Sequence, residues 1–289
     1  HIILNFLIGE TKMSSDLAPK ELLNAVNQIA QVAGERIMEV YATDFEVEQK
    51  ADRSPLTIAD MAAHETIVTE LKKVTPDLPV LSEESANISF QERASWQCYW
   101  LVDPLDGTRE FIKRNGEFTV NIALIDDHKP ILGVVYVPVT GVTYFATVGS
   151  GAFRCLPEHS PEPIMVRSCS KNRLTVAGSR SHASKYLQKF IDVLDAEDAE
   201  IELVSIGSSL KSCLIAEGKA DIYPRFGPTS EWDTAAAQCV VEQAGGYLTN
   251  TQLQPLRYNT KESLLNPHFL VFGDMNKDWS HYVAQAISI

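Results

Sequence analysis

The sequence has few cysteines, no long apolar run and a shortage of basic residues. Its five cysteines are widely spaced over 289 residues and form no C-x-x-C pair. This pattern excludes a disulfide framework and a zinc site, and it indicates a reducing, cytoplasmic setting. No stretch approaches 18 consecutive apolar residues, and the N-terminal run Ile2–Ile8 is too short for a membrane span or a secretion signal. We therefore expect no transmembrane segment.

Acidic residues outnumber basic ones by 38 to 25, which gives a formal net charge of −13. A chain this acidic is a poor candidate for binding long nucleic acids, because such proteins need a basic face to displace counterions. Small phosphates remain possible ligands where metal ions supply the local positive charge. The 45% hydrophobic content is typical of a globular protein and excludes a disordered or coiled-coil chain.

The chain divides into a leader and two halves. Met13 is followed by polar residues and resembles a natural start, so we interpret residues 1–12 as an upstream or artificially added leader. The proline-containing stretch Leu156–Pro163 lacks periodicity and is the best boundary. We expect an N-terminal half over residues 13–158 and a C-terminal half over residues 159–289.

Apolar spacing predicts different arrangements of secondary structure in the two halves. In the first, three- and four-residue spacing predicts a helix over Lys20–Val40 and another over Asp60–Val74. Short apolar runs then predict an antiparallel meander with strands at Val80-Leu81, Tyr99–Val102, Phe118–Ile125, Ile131–Val137 and Val142–Val148. In the second half, predicted strands alternate with helices, which favours an α/β layer. The strands are Leu174–Ala177, Ile201–Ile206, Asp221–Pro224 and Phe269–Phe272, and the helices are His182–Leu194, Ser208–Glu217 and Asp233–Ala244.

The most informative motif is Asp103-Pro104-Leu105-Asp106-Gly107-Thr108, which follows an apolar strand. Pro104 fixes a turn and Gly107 permits backbone angles that a side chain would forbid. The motif can aim two carboxylates and the Leu105 carbonyl at one point, and these are ligands that Mg²⁺ prefers. Thr108 lies where a helix with free N–H groups could begin. The alternative is a turn in which the acids only cap that helix.

Three more acidic segments lie near element ends. Glu83 and Glu84 directly follow a short apolar strand, Asp233 lies at a predicted helix start, and Asp60 ends a loop that enters a helix. Each has a simpler interpretation, namely a solvated loop for the glutamates and helix capping for the aspartates. Together they predict a carboxylate cluster in the crevice between the two halves.

These segments together resemble the lithium-sensitive, Mg²⁺-dependent phosphatase superfamily that includes inositol monophosphatases and fructose-1,6-bisphosphatases. The shared signatures occur in order, and the stretch Asp103–Ile125 is most similar to the CysQ-type 3'(2'),5'-bisphosphate nucleotidase branch. Further matches are Ser179–His182, Ile206–Lys211 and Tyr223–Thr229. Ala237 departs from the pattern, which more often has glycine there, and we expect slightly altered packing.

The resemblance implies the layered α-β-α-β-α sugar-phosphatase fold and two or three Mg²⁺ ions per site. It implies metal ligation by Glu83, Asp103, the Leu105 carbonyl, Asp106 and Asp233. Mutual repulsion among these carboxylates would raise their pKa values unless cations bind. The resemblance also implies that Asp60 and Thr108, with Glu83, orient or deprotonate the attacking water.

The implied reaction is hydrolysis of adenosine 3',5'-bisphosphate to AMP and phosphate. Secondary substrates are 3'-phosphoadenylyl sulfate and inositol 1,4-bisphosphate. Backbone amides of Gly107 and Thr108 would hold the reacting phosphate. Candidates for the rest of the substrate are His182, Ser208, Lys211 and Arg225.

Alternatives to this assignment remain at the level of residues and of function. Lys211 could instead be a solvated helix residue and His182 a helix cap. The alternative function is a phosphatase of small sugar or polyol phosphates, of the inositol monophosphatase kind. For cellular location, the resemblance implies a second possibility beside the cytoplasm, namely a peripheral position at the cytoplasmic face of the bacterial inner membrane.

Overall fold

A computed structural model describes residues 19–43, 55–170, 173–178, 185–195 and 200–287. The predicted leader and His182 lie outside these ranges. Within them, no helix combines the length and apolarity needed to cross a membrane.

Two long helices open the described chain. Helix α1 (Pro19–Tyr41) buries Val26, Ile29 and Ile37 along one face, as the apolar spacing predicts. Helix α2 (Pro55–Val74) starts before the predicted position, with proline in its first turn, where the missing N–H costs no hydrogen bond. Asp60 therefore lies inside the helix, and the alternative that it caps the N-terminus is wrong.

The first sheet has seven strands in the order β1 to β7, and its last strand begins at Glu162, past the expected end of the N-terminal half at residue 158. Strand β1 pairs with β2 in parallel, and every later neighbour is antiparallel, which confirms the predicted meander. The last two strands were not predicted. The strands are β1 Val80–Ser82, β2 Cys98–Asp106, β3 Thr119–Asp126, β4 Lys129–Val137, β5 Val142–Thr147, β6 Gly151–Cys155 and β7 Glu162–Ile164; the short helices are α3 Phe90–Arg93 and α4 Thr108–Ile112.

The second half forms a five-stranded mixed sheet with strand order β11-β12-β10-β8-β9. Its parallel pairs are β8 with β9 and β8 with β10, which confirms the predicted α/β layer. Strand β11 and helix α8 were not predicted. The strands are β8 Arg173–Gly178, β9 Glu200–Ser205, β10 Ile222–Arg225, β11 Tyr247–Asn250 and β12 Phe269–Phe272; the helices are α5 Lys185–Asp195, α6 Leu210–Ala216, α7 Ala235–Gln243 and α8 Trp279–Ile287.

The helices and sheets form five alternating layers, and three apolar cores join them. The first core joins α1 and α2 to one face of the first sheet. The second joins the other face of that sheet to α6, α7 and the second sheet. The third joins the second sheet to α5 and α8. This is the α-β-α-β-α layering that the sequence resemblance implies.

Helix α7 packs unusually close to β4. A Cβ atom added at Gly133 would lie 2.3 Å from the carbonyl oxygen of Ala236, so only glycine permits this approach. The small residues at the start of α7, including Ala237 at 2% exposure, are buried in the second core. The close contact positions the start of α7, two residues after Asp233.

Candidate active site

The sequence predicts a strand that ends just before Asp103. In the structure, strand β2 instead continues to Asp106 through a bulge. Asp103 pairs with Asn121 and Asp106 pairs with Thr119, so two residues of β2 lie opposite a single residue of β3. An extra residue of this kind bends a strand and redirects its side chains. The bulge therefore lets both aspartates contribute to one cluster.

The end of the motif has the predicted turn. Gly107 has a φ of 100°, a left-handed conformation that favours glycine, and it precedes α4, which begins at Thr108. The backbone N–H of Leu105 donates to Asp103 Oδ1 at 3.1 Å. This bond fixes the Asp103 side chain against its own strand.

Asp233 reaches the same place from the second half of the chain. It lies in a 3₁₀ turn (Glu231–Asp233), and its Oδ2 accepts a hydrogen bond from the Ser230 N–H at 2.8 Å. Carboxylate oxygens of Asp103, Asp106 and Asp233 lie within 4.8 Å of one another. Asp233 therefore belongs to the acidic cluster, but the alternative that it caps α7 is wrong, because Thr234 is the N-cap of that helix and the Asp233 side chain bonds within the preceding 3₁₀ turn.

Burial and mutual repulsion raise the pKa values of this cluster. Asp103 is 1% exposed, and burial followed by the charges of Asp106, Glu83 and Asp233 raises its pKa well above the usual range. Burial, and then the charge of Asp106, raises the pKa of Asp233 to about 7. Asp103 forms side-chain hydrogen bonds with Glu83 and with Asp233. A neutral Asp103 carboxyl group has a single proton and can donate it to only one of these two neighbours at a time.

The cluster fits a divalent cation. Three carboxylates with raised pKa values offer hard oxygen ligands in a buried position, and a cation would remove the repulsion that holds protons there. Glu83 adds a fourth carboxylate: the residue is exposed overall, but burial of its carboxyl group raises its pKa.

Asp60 on α2 interacts with the charges of Glu83 and Glu84, which directly follow β1. Asp60 is 8% exposed, and burial followed by the charges of Glu84 and Glu83 raises its pKa to about 8. The imidazole Nδ1 of His64, one turn further along α2, lies 2.9 Å from the Ser82 hydroxyl. This bond connects the helix carrying Asp60 to the strand end carrying Glu83.

A cleft of about 260 Å³ opens beside the cluster. Its walls come from both halves, and Asp60, Glu83 and Asp103 are not among the residues that line it. It brings together most of the predicted phosphate- and substrate-binding residues, and these are Gly107, Thr108, Ser208, Lys211 and Arg225, together with Asp106 and Asp233.

Lys211 is not a solvated helix residue, because it is 5% exposed. Its ammonium group donates to the carbonyl oxygens of Ser208 at 2.7 Å and Ile206 at 3.3 Å. Burial lowers its pKa to about 8, although the nearby carboxylate of Asp106 raises it. Lys211 thus supplies a buried positive charge beside the cluster.

Two other cleft residues carry unused polar atoms. Arg225 donates from Nη2 to the Pro228 carbonyl at 3.2 Å, while its buried Nε has no partner among the described residues. Ser208 has a φ of 46°, and its buried hydroxyl likewise has no partner in the described part of the chain. Groups of this kind are available to a ligand.

Sequence reasoning missed three polar residues around Asp106, namely Thr119, Asn121 and Ser209. The first two were read only as part of a strand. Their signal is the presence of polar side chains at alternate positions of an otherwise apolar strand. Arg109, which also lines the cleft, was missed as well.

Comparisons with known proteins agree with this geometry. The family model described as "Inositol monophosphatase family" matches residues 18–287. The 3'(2'),5'-bisphosphate nucleotidase CysQ of Escherichia coli K12 is 51% identical over 253 residues, covering 86% of this chain and 99% of that protein. The CysQ protein of Haemophilus influenzae is 38% identical and covers 90% of this chain and 96% of its own length.

Solved structures show the same fold. The crystal structure of CysQ from Bacteroides thetaiotaomicron has a TM-score of 0.77 and 43% identity, covering 86% of this chain and 97% of that chain. An inositol monophosphatase from Zymomonas mobilis has a TM-score of 0.76 at 23% identity, covering 93% of this chain and 99% of its own. With its match over nearly the whole described chain and its converging carboxylates, this protein belongs to the inositol monophosphatase family.

Proposed function

We propose that the protein is a Mg²⁺-dependent 3'(2'),5'-bisphosphate nucleotidase that hydrolyses adenosine 3',5'-bisphosphate to AMP and phosphate. The observation that carries the proposal is the convergence of Asp103, Asp106 and Asp233 beside a cleft that also contains Lys211 and Arg225. A carboxylate cluster suits a metal-assisted phosphatase, and the basic residues suit a substrate with a second phosphate. Relatives that bear this activity in their names are up to 51% identical to the chain.

Asp103, Asp106, Asp233, Glu83 and the Leu105 carbonyl would hold the metal ions. The family uses divalent metals, and we propose two or three Mg²⁺ ions. When bound, these ions supply positive charge that offsets the carboxylates, activates water and stabilises the leaving oxygen.

Asp60, Glu83 and Thr108 would position the attacking water. Asp60 suits the role of base because its pKa of about 8 lies close to neutrality, where proton transfer is most effective. Thr108, exposed at the start of α4, lines the cleft and would orient the water with Asp60. In the proposed reaction the water oxygen bonds to phosphorus as the bond to the 3'-oxygen breaks. One proton from the water ends on that 3'-oxygen.

The rest of the substrate would bind along the cleft. The Gly107 and Thr108 amides would hold the reacting phosphate. Arg225 suits the second phosphate, since a guanidinium group can bind two oxygens at once and its Nε has no partner among the described residues. The free Ser208 hydroxyl would bind phosphate or base, and Lys211 and His182 would add positive charge.

The test is phosphate release from adenosine 3',5'-bisphosphate, measured beside inositol 1-phosphate. Each substrate is assayed with Mg²⁺, with EDTA and with Mg²⁺ plus Li⁺, and 3'-phosphoadenylyl sulfate and inositol 1,4-bisphosphate are added as secondary substrates. We expect strong preference for the nucleotide, loss of activity in EDTA and inhibition by Li⁺. Equal or better turnover of inositol 1-phosphate would contradict the substrate assignment and favour a sugar or polyol phosphatase.

A further inference from the structure

Two polar side chains interrupt the face of β3 that packs toward α7. Thr119 and Asn121 are 0% and 1% exposed, whereas Ala123 and Ile125, which follow on the same face, belong to an apolar core. Burial of an amide and a hydroxyl costs free energy unless both find hydrogen-bond partners. Their partners therefore indicate what the two residues do.

The hydrogen bonds run from β3 toward Asp106. The Thr119 hydroxyl donates to Asn121 Oδ1 at 3.0 Å, which fixes the orientation of the amide. The Asn121 Nδ2 group then donates to Ser209 Oγ at 3.0 Å and to Asp106 Oδ2 at 3.3 Å. The amide thus contacts the carboxylate directly and also through the serine.

Ser209 joins the two halves of the chain at this carboxylate. It is the residue before α6, where a serine hydroxyl commonly caps the helix, but here the side chain makes no capping bond. Its hydroxyl lies instead 3.0 Å from Asp106 Oδ2 and 3.0 Å from the Asp233 carbonyl oxygen. Because Oγ accepts a bond from Asn121, its single proton is directed to one of these two acceptors.

These contacts restrict the Asp106 carboxylate. Its Oδ2 accepts a bond from Asn121 and lies 3.0 Å from the Ser209 hydroxyl, and the Ser209 backbone N–H donates to this side chain. Hydrogen-bonded partners of this kind fix the plane of a ligating group and raise metal affinity.

We propose that Asn121 and Ser209 are positioning residues that hold the Asp106 carboxylate in the orientation that binds a divalent cation. The proposal rests on the metal-binding role of Asp106 given under the proposed function. It assigns to Ser209 a second task, which is to make the cation site depend on correct packing of the second half against the first.

The test is calorimetric titration of the full chain with Mg²⁺ alone, without substrate. We expect Ser209→Ala to bind Mg²⁺ roughly 10- to 100-fold more weakly than the unaltered protein, the usual effect of losing a partner of a metal ligand. Asn121→Leu, which keeps the volume but removes the donor, has the same expected effect. Ser209→Thr retains the hydroxyl and is expected to restore most of the affinity.

Thr147→Val is the matched control. Thr147 is 1% exposed on β5, and its hydroxyl has no partner among the described residues, so this substitution removes a buried hydroxyl without breaking a bond. We expect unchanged Mg²⁺ affinity. Melting temperatures in EDTA show whether each variant is folded before titration.

The outcomes separate this inference from the proposed function. Unaltered protein that binds no Mg²⁺ would contradict the metal site itself. If the unaltered protein binds Mg²⁺ and Ser209→Ala binds equally well, only the positioning role is overturned. A loss that Thr147→Val shares, or that Ser209→Thr fails to restore, overturns it too.

Discussion

The Asp103 carboxyl group hydrogen-bonds the carboxyl group of Asp233, although the two residues belong to different halves of the chain. Two carboxyl groups can share a hydrogen bond only while one of them keeps its proton. Burial and the neighbouring carboxylates raise the pKa of both groups, which favours this protonated state in the absence of a cation. A divalent ion would instead favour the ionised form of both groups, because its charge offsets theirs.

We predict that Asp103→Asn nearly abolishes phosphatase activity. The substitution removes one negative ligand from the centre of the cluster, and the loss of several kcal/mol of stabilisation corresponds to at least about 10³-fold in rate. The measurement is kcat/KM for adenosine 3',5'-bisphosphate in saturating Mg²⁺. Asp77→Asn, at an exposed turn outside the site, is the control. An Asp103→Asn enzyme with Mg²⁺-dependent activity near normal would exclude Asp103 as a ligand.

The metal-free protein is expected to lose stability as pH rises from about 4 to about 8. The folded-state pKa values of Asp60 and Asp233, about 8 and about 7, exceed their unfolded values near 4. The folded state thus binds more protons than the unfolded state in this window, so the free energy of unfolding falls as pH increases. Thermal melts in EDTA at pH 5 and pH 8 measure the effect.

Two comparisons check that the carboxylate cluster causes this loss of stability. Asp103→Asn mimics the protonated form of Asp103 and so removes the free-energy cost of ionising that carboxyl group. Removal of a cost equivalent to one pKa unit, about 1.4 kcal/mol, is expected to raise the metal-free Tm at pH 8 by roughly 3–5 °C. Added Mg²⁺ should stabilise the unaltered protein more at pH 8 than at pH 5, because the ion binds ionised carboxylates. A metal-free Tm that rises between pH 5 and pH 8 would contradict the shared-proton account.

The sequence predicts correctly those parts of the structure that depend on residues close together in the chain. The apolar spacing of α1, the meander from β2 to β5 and the turn at Gly107 follow from side-chain periodicity and backbone restriction. The bulge between Asp103 and Asp106 does not, since it depends on which residues of β3 lie opposite.

Long-range contacts account for the rest. Nothing in the neighbourhood of Ser209 in sequence indicates that its hydroxyl turns from α6 to a carboxylate on β2. Lys211 occupies a position that periodicity allows to be solvated, yet the packing of α6 buries it. Strand β11 and helix α8 are short, and each is stabilised by packing against other elements of the fold, which local sequence patterns do not reveal.

We predict that Glu84→Gln moves the acid limb of the pH–rate profile to lower pH. Burial, and then the charge of Glu84, raises the pKa of Asp60, and a base acts only in its ionised form. Removing that charge lowers the pKa and extends activity toward acid. The profile of kcat/KM measures the limb, with Glu65→Gln on the exposed face of α2 as the control. An unchanged limb in Glu84→Gln would contradict the assignment of Asp60 as the base.

Arg225→Ala is expected to impair substrates that carry a second phosphate and to spare those that do not. Loss of hydrogen bonds between a guanidinium and a phosphate, about 1.5–3 kcal/mol, corresponds to roughly 10- to 150-fold in kcat/KM. The effect should appear chiefly as a higher KM for adenosine 3',5'-bisphosphate, measured beside adenosine 3'-monophosphate under the same conditions.

Arg173→Ala provides the matched loss of one positive charge, because that side chain is 57% exposed on β8 and pairs with Glu202 outside the cleft. We expect it to leave both substrates unaffected. If Arg225→Ala slowed the monophosphate as much as the bisphosphate, Arg225 would be supporting the shape of the cleft through its bond to the Pro228 carbonyl. The preference for a second phosphate would then have to arise from another residue of the cleft, and Arg109, which lines it, would be the next to substitute.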